Sequence, residues 1–286
     1  MNEKIFLDNL SKVRKNQSVK KSNGIEWVYD EKILSAGALH GFTRRIGGFS
    51  PPPFDSLNFG FTRPEPREII IANYALLATS AGFNFNDFAI INFEHGNNVL
   101  SITSSDRGKG IIESHGCLLP CDGLVTACSD VVPVSLHADC LGILLYDPVK
   151  RAVGALHSGW KGVHGEIGVV AAQKMHSEYL SNPKDILIML TPSISQKNYE
   201  VDRPVFDLFN DKFDLPSSAY SYYCDQKNKY YLDLSLITVF QLLNFGIKPE
   251  NISLSQECTY DNPEYYYSYR RDGKKAGDMA GFIKLI

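Results

Sequence analysis

The chain predicts a mixed α/β (α+β) fold, with mixed β-sheets flanked by helices in a single compact domain. Three observations lead there. Strand-like and helix-like segments are intermixed without strict βαβ alternation. Two runs, Ile143-Leu144-Leu145-Tyr146 and Ala152-Val153-Gly154-Ala155-Leu156, are nearly continuous in apolar character, as strands buried on both faces are. Residues 67–81 carry Ile70, Ile71, Tyr74 and Leu77 at helical spacing.

Residues 1–24 read as a polar N-terminal arm or helix, ahead of a catalytic domain spanning 25–286. Ile25–Tyr29 and His40–Arg45 read as short strands, and the Gly and Pro content of residues 47–53 marks a loop. After the helix at 67–81 the middle of the chain is β-rich. Strands are expected at 88–93, 98–102, 123–127, 131–137, 142–146 and 152–157, each bounded by polar or Gly/Pro residues. Residues 165–180 form an amphipathic helix pattern, and 185–190 a strand ending at Thr191-Pro192. A short helix at 204–211, a strand at 230–233 and a helix at 235–245 stopped by Gly246 follow. Strands at 252–256 and 280–285 close the chain.

A length of 286 residues permits one large domain or two modest ones, and no linker divides the chain. Apolar residues at 44% and charged residues at 21% fit a soluble globular protein. The formal charge of −3 leaves no basic excess to release counterions, so no nucleic-acid partner is expected. The basic cluster of Lys12, Arg14, Lys15, Lys20 and Lys21 reads as a solvated face or frayed arm. No run of about 18 apolar residues exists, so no membrane span is expected. The polar N-terminus lacks the apolar core of a signal peptide. The six cysteines are irregularly spaced, which suits reduced thiols and a cytoplasmic protein. Cys117 and Cys121 have the C-x3-C spacing of a metal pair, but no second pair follows.

Three short segments carry the chemistry. They are Phe93-Glu94-His95-Gly96, His137-Ala138-Asp139-Cys140, and His157-Ser158-Gly159-Trp160-Lys161-Gly162. His95, Cys140 and His157 each sit at a strand end. Together they supply three ligands for a zinc ion and leave a fourth position open, the arrangement of a catalytic site. Taken singly each has a plain structural role: a loop histidine, a small core thiol, a strand-end histidine. Asp139 beside Cys140 orients a ligand or carries a proton, and Asp122 is a weaker candidate of the same kind. Trp160 is either a pocket wall or core packing.

At these segments the chain resembles the YfiH/YlmD family, long labelled laccase-domain or polyphenol oxidase proteins. The resemblance is carried by residues 137–148 and 155–162 and extends well beyond them. Residues 42–48, Ser56-Leu57-Asn58-Phe59-Gly60, Glu94-His95-Gly96, residues 122–126, Tyr199-Glu200-Val201, Leu232-Asp233-Leu234, Cys258-Thr259 and residues 268–271 follow in the family's order. Coverage runs from about residue 25 to the C-terminus. The resemblance implies a compact α/β fold, zinc on His95, Cys140 and His157, and purine nucleoside phosphorylase activity together with adenosine deaminase activity. The implied partners are a nucleoside (adenosine, inosine or methylthioadenosine) and phosphate, with a monomer or homodimer as the working unit. The chain departs from the family's pattern at Phe93, where a Gln is usual, and at His137 and Asn198. Ala276-Gly277-Asp278 stands in place of Thr-Gly-Arg.

A zinc centre of this kind brings the pKa of its water to about 7, which suits hydrolytic loss of ammonia from adenine C6. Phosphorolysis needs an anion site as well. Arg45 beside Gly47-Gly48 offers a guanidinium fork with a close backbone. Arg271 follows a tyrosine-rich stretch, and Asn58 lies in one of the matched segments; both are expected to touch substrate. Three other readings compete. One is a Cys140-dependent amidase or hydrolase acting on peptidoglycan precursors, with His157 or His95 as base. Another is a copper polyphenol oxidase, with copper in place of zinc. The histidines form no His-x-His pair, and no Met follows His157 before Met175 to serve as an axial ligand. The last is a non-enzymatic metal-binding protein.

Overall fold

The computed structural model describes residues 1–111 and 120–286. Cys117 of the C-x3-C spacing lies outside the described residues. Its counterpart Cys121 is a free, buried thiol, and burial pushes its pKa up to about 11.

Two six-stranded mixed sheets form the centre of the molecule. The first runs Ser18–Ser22, Ile25–Tyr29, Ala38–Thr43, Met279–Leu285, Val132–His137, Phe88–Ile90. The second runs Ile252–Leu254, Leu187–Leu190, Leu141–Asp147, Ala152–Ser158, Gly123–Thr126, Val99–Ser101. Strand alternation assigns each side chain to a face. Val28, Phe42, Met279 and Ile283 of the first sheet meet Leu144, Tyr146, Val153 and Ala155 of the second in one buried cluster. The two sheets therefore pack face to face.

Each outer face carries helices. Trp27, Val134, Ala280 and Phe282 pack against Ile70, Tyr74 and Leu77 of the helix Arg67–Ala81. Ile143, Leu145, Leu156 and Ile188 pack against Ala171 and Met175 of the helix Ile167–Tyr179 and against Ile237 and Phe240 of the helix Leu234–Phe245. Strands buried on both faces explain the continuous apolar runs at 143–146 and 152–156. A third, three-stranded sheet joins Glu200–Val201, Lys229–Leu232 and Ser221–Cys224.

The expected elements recur with ends moved by a few residues. The helix expected over 165–180 is Ile167–Tyr179, and a short helix that the pattern did not show, Trp160–His164, precedes it, with Glu166 at φ 58° between them. Residues 1–24, read as an arm or helix, hold both a helix and a strand. In Glu3–Leu10, Phe6 is buried edge-to-face on Phe240. Ser18–Ser22 pairs antiparallel with Ile25–Tyr29, putting exposed Lys20 and Lys21 on the sheet edge, where lysines discourage further pairing. Among the described residues no helix is long and apolar enough to cross a membrane.

Candidate metal centre

The chain leaves the first sheet at His137 and enters the second at Leu141. Cys140 lies in that crossover. The ladder places Leu141 opposite Ser158 and Gly142 opposite His157, which brings the thiol beside the histidine. Along Ala152–Ser158, Val153, Ala155 and His157 share the face between the sheets. His157 thus ends the inter-sheet core.

His95 comes from the loop after Phe88–Ile90, at φ 61°, a left-handed conformation in which histidine is enriched. Asp122 holds that loop. Its Oδ1 accepts from Glu94 N at 3.1 Å and its Oδ2 from Gly96 N at 2.9 Å. His157 N in turn donates to the Asp122 carbonyl at 2.7 Å. One residue thereby fixes the loop of one histidine to the strand of the other.

The ligand atoms of His95, Cys140 and His157 lie within 4.8 Å of one another, and this is the one such group among the described residues. His157 Nδ1 is buried without a hydrogen-bond partner, 4.0 Å from Asp122 Oδ1. Burial disfavours a charge on His157, but its interactions with the Cys140 side chain and the Asp122 carboxylate outweigh it and push its pKa up to about 9. A potential that draws a proton there draws a metal cation as well. Burial and the neighbouring His157 lower the pKa of His95. Two imidazoles and a soft thiolate fit zinc and copper alike.

The surroundings are shaped around the trio. Phe93 packs its ring 4.5 Å from the His157 ring and 5.1 Å from the His95 ring. His137 lies behind them, 5.5 Å from His157. Its Nδ1–H donates to the Cys140 carbonyl at 3.1 Å and its Nε2 sits 2.8 Å from Ser135 Oγ. Both ring nitrogens of the neutral ring are satisfied, and burial holds its pKa well below the usual histidine value. A Cβ on Gly159 would approach Cys140 Sγ to 3.3 Å, so a side chain there crowds the ligands.

Two cavities meet at the trio. The larger, about 490 Å³, is bounded by all three residues of the trio with Phe61, Arg63, Phe93, Tyr269 and Asp278. The smaller, about 300 Å³, lies beyond His95 and Cys140 and is lined by Asp139, Trp160, Ile194, Tyr199 and Leu234. Trp160 is thus a pocket wall that also packs on the core.

The structure does not bring every expected site residue to these cavities. Asp139 borders the smaller one, but its carboxylate accepts from Thr259 Oγ1 at 2.6 Å, Ser268 Oγ at 3.0 Å and Arg270 N at 2.7 Å. Arg45 and Arg271 face a separate open cavity. Arg45 donates to the carbonyls of Asp55 and Pro263, and Arg271 to those of Thr259, Tyr260 and Tyr266. Asn58 is fully buried, with Oδ1 accepting from the backbone of Gly60 and Asp278. Arg63 and Tyr269 do line the trio's cavity. Sequence reasoning missed Arg63, which sits in a loop with no motif of its own.

The sequence model of a family described as multi-copper polyphenol oxidoreductase laccase matches residues 39–286. The chain belongs to this laccase family. It is 36% identical over 249 residues to a protein of Bacillus subtilis named purine nucleoside phosphorylase YlmD, covering 86% of this chain and 88% of the relative. The crystal structure of YlmD from Geobacillus stearothermophilus superposes with a TM-score of 0.86 at 30% identity, over 93% of this chain and 97% of that one. The Bacillus licheniformis protein YfiH gives the same TM-score at 28% identity, over 94% and 99% of the two chains. The mixed α/β architecture with helices flanking the sheets is the one these laccase-family structures share.

Proposed function

We propose that this laccase-family protein is a metal-dependent purine nucleoside phosphorylase that also deaminates adenosine, with adenosine, inosine and methylthioadenosine as its substrates. The observation that carries the reading is the His95, Cys140 and His157 trio opening into a cavity of about 490 Å³. That volume falls within the roughly 300–1,000 Å³ usual for small-molecule sites. The relatives named purine nucleoside phosphorylase supply the reaction class.

His95, Cys140 and His157 are the residues that would hold the metal. We assign zinc, because among the described residues one three-ligand group is present where a multi-copper centre needs several. When bound, the ion supplies a Lewis acid that polarises an oxygen of water or substrate. The chain supplies the rest. Phe93 and Tyr269 offer ring surface to a purine, while the Phe61 ring is taken up by Tyr74 and Arg67. Asp122 keeps His95 and His157 in register, and Asp139 braces the turn that carries Cys140. In phosphorolysis a phosphate oxygen forms a bond to ribose C1′ as the C1′–N9 bond breaks. The electron pair passes to the purine, which takes up a proton. In deamination water adds at C6 and ammonia leaves, giving inosine.

Incubating the purified protein with adenosine and phosphate, then separating the products, tests the proposal. Adenine, inosine or hypoxanthine is expected. None of them, from protein with its metal confirmed bound, overturns it.

A second reading makes Cys140 the nucleophile of an amidase acting on peptidoglycan precursors. It is favoured by the closeness of Cys140 to His157, since a histidine within reach of a cysteine is the pairing that a cysteine nucleophile uses. A thiol adduct trapped at Cys140 without metal loss supports this reading; a metal retained through Cys140 in native mass spectrometry counts against it.

A further inference from the structure

The cavity at the trio contains a cation whose bonding is incomplete. Arg63 is the one Lys or Arg among its described lining residues. Its NH2 group donates to Asp278 Oδ1 at 2.8 Å, and its side chain remains 17% exposed. Its Nε is buried without a hydrogen-bond partner. A guanidinium carries five N–H donors in a rigid plane, and one carboxylate oxygen engages one of them. The terminal N–H groups left over suit the oxygens of a tetrahedral anion.

The Arg63 loop is fitted to Asp278 on all sides. Asp278 N donates to Asn58 Oδ1 at 2.8 Å, and Phe59 N donates to the Asp278 carbonyl at 3.0 Å. A Cβ on Gly60 would come within 1.9 Å of Asp278 Oδ2, so only glycine lets the carboxylate lie against the loop. Asp278 therefore holds the guanidinium at one place on the cavity wall. An arginine held in advance loses little freedom on binding an anion.

We propose that Arg63, held by Asp278, binds the phosphate oxygens of the co-substrate beside the His95, Cys140 and His157 trio. This rests on the phosphorylase reading. Arg63 keeps the phosphate in reach of ribose C1′ while the new C1′–O bond forms and the C1′–N9 bond breaks, its electron pair leaving with the purine. Arg45 and Arg271, which face another cavity, take no part.

The test compares wild type with Arg63→Lys and with the double variant Arg63→Gln/Asp278→Asn. The double variant removes both charges together and so leaves no buried carboxylate unpaired. With inosine as nucleoside, the KM for inorganic phosphate is expected to rise roughly ten- to hundredfold in the double variant. The KM for inosine and the metal content stay near wild type, and Arg63→Lys recovers part of the loss. An unchanged phosphate KM in an active double variant overturns the proposal and leaves the phosphorylase reading standing. If the wild type phosphorolyses no nucleoside, that reading fails, and the anion site is then read from thermal unfolding. Inorganic phosphate should raise the Tm of wild type above a chloride control of equal ionic strength, and not that of the double variant; equal responses overturn the site. Inosine 5′-monophosphate separates the two sources of the same anion. Stabilisation by the nucleotide and not by inorganic phosphate overturns the co-substrate assignment.

Discussion

The Asp122 carboxylate straddles His95, taking the backbone N–H before it on one oxygen and the N–H after it on the other. It also faces His157 Nδ1 at 4.0 Å. Exchanging one of its oxygens for an amide NH2 sets a donor against a donor. Asp122→Asn is therefore expected to weaken metal binding roughly ten- to hundredfold, the usual effect of losing a group that orients ligands. Competition with a chromophoric zinc chelator measures it. Wild-type affinity in Asp122→Asn would show that the loop holds His95 without the clamp.

Asp139 sits beside Cys140 yet gives its oxygens to Thr259, Ser268 and Arg270. It adopts φ 91°, a region that asparagine tolerates better than most residues. Asp139→Asn keeps the backbone and loses acceptor capacity. We expect a loss of about 1–3 kcal/mol in chemical denaturation, with faster amide exchange at Arg270. A variant with unchanged stability and exchange but abolished turnover would instead make Asp139 a proton carrier.

His40 gives the protein a pH dependence remote from the His95, Cys140 and His157 trio. Its ring is buried, its Nε2 accepts from Asp30 N at 2.9 Å and its Nδ1–H donates to the Ala38 carbonyl at 3.0 Å. Burial lowers its pKa from 6.5 to about 4, against the opposing pull of the Ala38 carbonyl and the Asp30 carboxylate. The unfolded chain binds the proton first, so the stability from His40 is complete above about pH 6.5 and is lost as pH falls towards 4. Between neutrality and pH 5 the loss is about 2 kcal/mol. Denaturation of wild type and His40→Gln at both pH values should show a smaller drop in the variant. Equal drops would contradict the assignment.

Much of this architecture is legible in the sequence because apolar periodicity and burial agree. The helix Arg67–Ala81 and the strand Ile25–Tyr29 emerge with the residues the pattern assigns them. Ser18–Ser22 is not legible because all but Val19 of its side chains are polar, although Asn23 and Gly24, both at positive φ, are a hairpin signal. The trio is legible for another reason: His95, Cys140 and His157 each stand within a distinctive segment, although only His157 lies in a strand, Cys140 being in the crossover before Leu141 and His95 in the loop after Ile90. Pairings between loops are not legible. Nothing in the sequence places Arg63 against Asp278, which lie 2.8 Å apart across the fold, or turns Arg45 and Arg271 towards another cavity.

The central claim is that His95, Cys140 and His157 form one metal centre, and native mass spectrometry of wild type beside Cys140→Ala tests it most directly. The account predicts one zinc per wild-type chain and loss of that zinc in Cys140→Ala, with both proteins folded by circular dichroism. Metal-free wild type after growth in zinc-supplemented medium, or equal zinc in the two proteins, would contradict it.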